Sequence, residues 1–249
     1  ATGLNSTATG QNAQATQENA TALGRNAKAT AVNTTATGVN VKATGLEATA
    51  TGFEGTASGS YATTSGSRAI ASGFGSTANG AQSEATADRT TAIGYDSVAL
   101  AQNSTAVGAI ALATGSNSTA MGQNAQATRE NATALGRNAI ANGTNSLSVG
   151  ASNESLANRT TAVGSNNIVE AASSSTIGQS NIIKATSPTT TSRAVNNTVA
   201  NSHALGNNNI INSSDTFVLG SNINNTGQVD NAGNAIPIGN TVKNSVYLG

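Results

Sequence analysis

Very few residues in this chain could carry chemistry. His203 is the only histidine, there is no cysteine, and the eleven carboxylates are scattered with no recurring pair. A protein metal site gathers several His, Cys or carboxylate ligands at set spacings. Without a thiol or a second imidazole no metal cluster is specified, and no cofactor is implied. A hydrolytic triad needs a histidine between a hydroxyl and a carboxylate. His203 instead stands three residues before Gly206, at an outward position where a packed or solvated surface role is expected. The glycine strings Gly52-Phe53-Glu54-Gly55 and Gly73-Phe74-Gly75 lack the Lys-Ser/Thr pair of a phosphate loop. Formal net charge is zero, so electrostatic capture of nucleic acid has no support. No catalytic residue is assigned and the chain reads as a non-enzyme, so its function must lie in the surface it displays.

What displays that surface is a repeat. Glycine recurs every fourteen residues from Gly10 to Gly178; Ser192 takes the next place, and Gly206 and Gly220 return in register. Alanine stands two before most of these glycines, as at Ala8, Ala22, Ala106 and Ala204. It also stands five after them without a break from Ala15 to Ala141. A half-step site takes Gly or Ala (Gly3, Gly45, Gly59, Ala87, Ala101, Gly143), and Asn5, Asn19, Asn33, Asn103, Asn117 and Asn131 mark another fixed column. Gln11–Lys28 and Gln123–Ile140 are near copies 112 residues apart, a whole number of repeats. Helical repeats are longer than this. The small residues alternate, as in Ser104, Ala106, Gly108, then Ala111, Ala113, which is the period of a strand. The parity slips once after Gly108, marking a corner. Each repeat is therefore expected to hold two short strands and two turns, stacked in parallel on its copies at the ~4.8 Å strand spacing. About seventeen coils would make an all-β solenoid roughly 80 Å long. Asn suits the turns because it tolerates the left-handed conformation.

The expected core is thin: Ala, Ser and Gly between two close sheets, with little apolar area against the entropy of ordering the backbone. The residue before each repeat glycine points away from it. There stand Ile93, Val107, Met121, Leu135, Val149, Val163, Ile177, Leu205 and Leu219, an outward aliphatic stripe. Soluble monomers rarely expose one, so burial by self-association is expected.

Thr105-Ala-Val-Gly108, Thr91-Ala-Ile-Gly94, Thr161-Ala-Val-Gly164 and Asn244-Ser-Val-Tyr-Leu-Gly249 resemble the NSVAIG-type repeats of YadA-like heads in the trimeric autotransporter adhesins of Gram-negative bacteria. The resemblance spans about Thr2 to Gly220. It implies a left-handed parallel β-roll assembled as a homotrimer, with the small residues inside each roll and the stripe at the trimer interface. The implied function is attachment at the bacterial cell surface. The implied partners are host receptors such as carcinoembryonic-antigen-family adhesion molecules, or matrix proteins such as collagen, with autoagglutination as a further role. There are departures. Thr replaces the family's Val at Thr21, Thr77 and Thr133, and the early stripe is polar at Thr9, Thr37, Thr51, Ser65 and Asn79. Head repeats are assigned to 1–220, with an irregular insert at about 184–201 around Pro188. Residues 221–249 read as the approach to a neck, whose stalk and outer-membrane anchor would be missing. No run of ~18 apolar residues marks a membrane span.

Two further features carry expectations. Phe53, Tyr61, Phe74 and Tyr95 fall at or near corners, with Val98, Leu100, Ile110 and Leu112 in neighbouring coils; these are the candidate ligand contacts. Thr7-Ala-Thr9, Thr35-Ala-Thr37 and Thr49-Ala-Thr51 resemble the Thr-x-Thr ranks of ice-binding solenoids, an alternative that weakens where the second Thr becomes aliphatic from residue 93.

Overall fold

The computed structural model describes residues 1–184, 200–212, 214–223 and 245–248. These residues form an all-β parallel solenoid, and no helix occurs among them. The chain divides into two compact units, Ala1–Thr128 and Arg129–Gly249.

In the first unit every coil contributes one strand to each of two sheets. The first sheet takes strands such as Thr7–Thr9, Thr21–Leu23, Thr91–Ile93 and Thr119–Met121; the second takes two-residue strands such as Gln14–Ala15, Lys28–Ala29 and Leu112–Ala113. All pairing is parallel with a register of fourteen: Thr7 with Thr21, Ala8 with Ala22, Gln14 with Lys28. Each residue therefore stacks on its own copy. Ala22, Ala36, Ala50 and Ala106 of the first sheet, and Ala29, Ala43, Ala71 and Ala113 of the second, are fully buried between the sheets.

The second unit keeps this plan but changes its interior. Its strands Leu147–Ala151, Thr161–Ser165, Ser175–Gln179 and His203–Asn207 run five residues. Val169, Ile183, Ile211 and Val218 are buried in one cluster with Ala162 and Ala204. The expectation of small residues alone inside holds for the alanine coils and fails here, where Val and Ile take inward positions; strand length does not set the units apart, since Thr35–Val39, Thr49–Phe53 and Thr63–Ser67 of the first are as long. The stack also skips a repeat: Ser175–Gln179 pairs directly with His203–Asn207, and Ile182 with Ile210, both twenty-eight residues on. Nine second-sheet strands in the first unit and five in the second give about fourteen turns rather than seventeen. The insert placed at about 184–201 lies mostly outside the described residues. So does most of 221–249, where the strand Ser245–Leu248 pairs with Thr216–Leu219.

The corners show why particular residues are fixed. Each coil has two left-handed positions seven residues apart, at Asn5 (φ 55°) and Asn12 (φ 57°), then Asn19 and Asn26, and so on. Left-handed backbone is costly for most L-residues and least so for Asn and Gly. One corner, the hydroxyl corner, turns at the half-step site, and in many coils a Ser or Thr caps the carbonyl three residues back: Ser6 Oγ to Gly3 O at 2.6 Å, Ser146 Oγ to Gly143 O at 2.6 Å; Ala20, Ala48 and Ala62 take that place in others. The other, the glycine corner, follows the repeat glycine. Gly108 has φ +128°, and a Cβ there would stand 2.5 Å from the carbonyl oxygen of Gly122 in the next coil. Glycine is thus needed twice over, for its conformation and for close approach of the coils.

Two kinds of donor reach repeat-glycine carbonyls; the first-unit strands Thr35–Val39, Thr49–Phe53 and Thr63–Ser67 run on through the glycine and show neither. In the other alanine coils the N–H three residues on closes a tight turn, Ala13 N to Gly10 O at 3.3 Å. In the second unit the strand runs on through the glycine, and a buried Asn from the preceding coil supplies the donor. Asn153 Nδ2 donates to Gly164 O at 2.8 Å, Asn167 to Gly178 O at 2.8 Å, and Asn209 to Gly220 O at 2.8 Å. These amides also bond to each other: Asn167 Nδ2 to Asn153 Oδ1 at 2.9 Å, Asn181 Nδ2 to Asn167 Oδ1 at 3.0 Å.

Two predictions follow from this geometry. Gly108→Ala should cost roughly 2–3 kcal/mol in a urea unfolding titration. Gly75→Asn should be neutral or slightly stabilising, because Gly75 sits at φ +61° with open space around its Cβ position. Equal losses for the two would contradict the assignment. Asn167→Ala, which orphans Gly178 O and the backbone N–H of Asn181, should cost roughly 1–3 kcal/mol. The exposed ladder variant Asn19→Gly, which removes the amide and still tolerates the left-handed backbone, should cost a fraction of that, measured the same way.

Candidate functional site: the outward columns

Because every coil stacks in register, the outward side chains form columns. On the first sheet of the first unit Ile93 pairs with Val107, and Val107 with Met121. In the second unit Leu135 pairs with Val149, Val149 with Val163, Val163 with Ile177, Ile177 with Leu205, and Leu205 with Leu219. The structure places all nine stripe residues on that sheet, facing away from the core. Ile177 is 48% exposed and Met121 44%, while Val107, Leu135, Val149 and Val163 are half-buried. Leu248 extends the column by pairing with Leu219, and exposed Leu23 occupies it in the polar coils. Leu248 lies twenty-nine residues from Leu219, off the fourteen-residue period, although it precedes the glycine of the Asn244–Gly249 motif as the other stripe residues precede theirs.

The eight residues expected to touch a ligand fall in three places. Tyr61 and Phe74 lie together at the hydroxyl corner, ring centroids 5.3 Å apart in an edge-to-face contact. Phe53, Tyr95 and Ile110 lie at the glycine corner, across the coil; Ile110 N donates to Tyr95 O at 2.9 Å, while Phe53 is three coils from Tyr95. Val98 and Leu112 pair on the outer face of the second sheet, and Leu100 follows at its margin. All five corner residues and Leu100 are exposed. A second-sheet column in the other unit, Ile168, Ile182 and Ile210, went unrecognised although 168, 182 and 210 share the same period.

Ile110 stands out by its backbone. It has φ 59°, a left-handed position held elsewhere mainly by Asn, Asp, Arg or Glu, and it is 49% exposed. A β-branched residue is strained there, and its side chain gains no burial to offset the strain. Local strain on an exposed residue is an indication of function.

His203 lies on the outer face of the first sheet, where Ser175 Oγ meets its Nδ1 at 2.7 Å. This contact joins stacked neighbours in one column. Among the described residues no three His, Asp or Glu side chains gather as a metal site would require. The oppositely charged neighbours Arg68 and Glu54 also stack, Nε to Oε2 at 3.1 Å, an exposed pair worth little on its own.

The strain at Ile110 gives a direct test. Ile110→Asn should raise the unfolding free energy by roughly 1 kcal/mol. A loss of stability would mean that the isoleucine is packed for structural reasons.

The comparisons agree with this architecture. The model of the YadA head domain repeat matches residues 1–27, 18–40, 50–76, 71–97, 85–111, 113–139 and 141–167. No curated protein matches the chain. The matched segments fall on the coils that carry the repeat glycines, the paired alanines and the outward columns, and they cover more than half of the sequence, so the chain belongs to the YadA head domain repeat family.

Proposed function

We propose that this chain is the adhesive head of a trimeric autotransporter, displayed from the outer membrane at the bacterial surface, and that it acts as a homotrimer. The observation that carries the proposal is the in-register aliphatic column on the outward face of the first sheet. A column of Leu, Val and Ile held at one strand spacing over consecutive coils is a pre-formed apolar surface of the kind soluble proteins cover by association. Membership of the adhesin-type head family supplies the role. The proposed partners are a host surface receptor, for example of the carcinoembryonic-antigen family, or a matrix protein such as collagen; autoagglutination is a further role. A trimer presents each contact three times, which raises avidity without new chemistry. Phe53, the Tyr61–Phe74 pair, the Tyr95–Ile110 pair, the Val98–Leu112 face and Leu100 are the proposed host contacts. Ice binding is not favoured, because the outer Thr column gives way to Ile93, Val107 and Met121 within the first unit.

Light scattering on a size-exclusion column should give a mass near three times the 24.3 kDa protomer. Met121→Asp and Leu135→Asp should each shift it toward the monomer. A folded wild-type monomer, or an unchanged mass in both variants, would sink the homotrimer. For the contacts, binding to a panel of collagen, fibronectin and carcinoembryonic-antigen-family receptors should drop in a Phe53→Ala, Phe74→Ala, Leu112→Ser protein. Binding at the wild-type level would remove these residues from the site.

A further inference from the structure

The first unit carries one feature that neither the core nor the stripe explains. Lys28 and Lys42 are direct neighbours in the second sheet, side by side on its outer face. Like charges at adjacent in-register positions are destabilising. Elsewhere charged columns are relieved: Arg68 meets Glu54 one coil away, and Arg89 Nε donates to Asn103 Oδ1 at 2.8 Å. No carboxylate lies within salt-bridge distance of either lysine among the described residues.

The lysines form one wall of a groove of about 690 Å³ that runs across four coils. The other wall is an amide ladder at the glycine corner: Asn12 Nδ2 donates to Asn26 Oδ1 at 3.2 Å, and Asn26 Nδ2 to Asn40 Oδ1 at 2.9 Å. Asn26, bonded on both sides, keeps one N–H and one lone pair for a ligand, while Asn12 keeps its carbonyl oxygen and Asn40 both of its N–H groups. Glu54, its carboxylate held by Arg68, closes the end. The groove runs along the outer face of the second sheet and the glycine corner, whereas the stripe lies on the first sheet.

We infer that this groove binds an extended sulfated polysaccharide, with Lys28 and Lys42 meeting its anionic groups and the asparagine amides meeting its hydroxyls. The inference rests on the adhesion reading and names a ligand class for it. A receptor that repeats the same two groups at one strand spacing fits a polymer that repeats its own anionic and hydroxyl groups. An acidic peptide fits less well. Peptides gain affinity by adding a strand to an open sheet edge, and the strands Lys28–Ala29 and Lys42–Ala43 are paired on both sides. Nucleic acid would call for aromatic stacking platforms and a broader basic surface, whereas this wall offers amides and two cations.

The test uses the whole chain and a fluorescent heparin oligosaccharide, read by polarisation. Wild type should bind, and binding should weaken with salt. Lys28→Gln/Lys42→Gln should bind roughly tenfold more weakly or worse, while Arg137→Gln, which removes an exposed charge outside the groove, should match wild type. The double variant should melt no lower than wild type, since it removes a repulsion, so lost binding cannot be put down to unfolding. The inference is overturned if wild type ignores the probe, if the double variant binds as wild type, or if Arg137→Gln loses as much. It is also overturned if poly-glutamate binds the groove more tightly than the oligosaccharide, or if inorganic sulfate displaces the probe as well as free oligosaccharide does. Adhesion to the protein panel without oligosaccharide binding would end this inference alone; failure to adhere to any panel member would end the adhesion reading.

Discussion

The register of fourteen is the constraint from which the rest follows. Every strand pairs with its own copy in the next coil, so any residue type chosen at one position meets the same column above and below. A side chain that clashes or repels does so at every step, and one that bonds its copy is reinforced at every step. This is why Gly108 must face Gly122 with no Cβ between them. It is also why Asn can stack with Asn: a primary amide donates and accepts, and so bonds its own copy in a way that a carboxylate or an ammonium cannot. Exposed ladders such as Asn19 to Asn33 at 3.0 Å and Asn131 to Asn145 at 3.0 Å use that property at the turns.

The glycine corner shows how one constraint admits two solutions. The carbonyl of the repeat glycine calls for a donor. A coil such as that of Gly10 and Ala13 bends at once and uses its own N–H. A coil with Asn in place of that alanine continues the strand and lends its amide to the next coil. The second solution removes polar groups from water more completely, because Asn153, Asn167, Asn181 and Asn209 are fully buried. It also coincides with Val169, Ile183 and Ile211 in the interior. A buried amide network and larger apolar side chains thus replace an alanine core within the same fourteen-residue frame.

Much of this was legible in the residues because period and chemistry coincide. Gly at 10, 24 and 38, with Ala two before and five after, can only be a narrow parallel coil, and Val149, Val163 and Ile177 share the outward phase of the same strand. Three things were not legible. The second left-handed column escaped because Arg68, Gln82 and Ile110 hold its conformation without the residue type that signals it. The direct pairing of Ser175 with His203 escaped because skipping a whole repeat leaves the period intact. The division of the aromatics between the two corners, Phe53 and Tyr95 at one and Tyr61 and Phe74 at the other, escaped because alternate corners lie on opposite edges of the coil.

The balance of burial inside and outside a coil bears on what the head needs in order to be stable. An alanine column offers one methyl per position, ~0.8 kcal/mol by the usual scale. Covering a half-exposed Val, Ile or Leu of the outward column offers ~1.5–3 kcal/mol per side chain at most. Per coil, then, the outward column holds at least as much unrealised apolar stabilisation as an inward alanine pair supplies. In the second unit that column is unbroken from Leu135 to Leu219 across the described coils, whereas in the first it is Thr, Ser or Asn at positions 9, 37, 51, 65 and 79. On the homotrimer reading, association completes the fold of the aliphatic coils and contributes little to the early ones, which depend on their ladders and are left with polar outer faces. Those polar faces suit recognition of hydrophilic ligands, and they include the coils that carry Lys28 and Lys42.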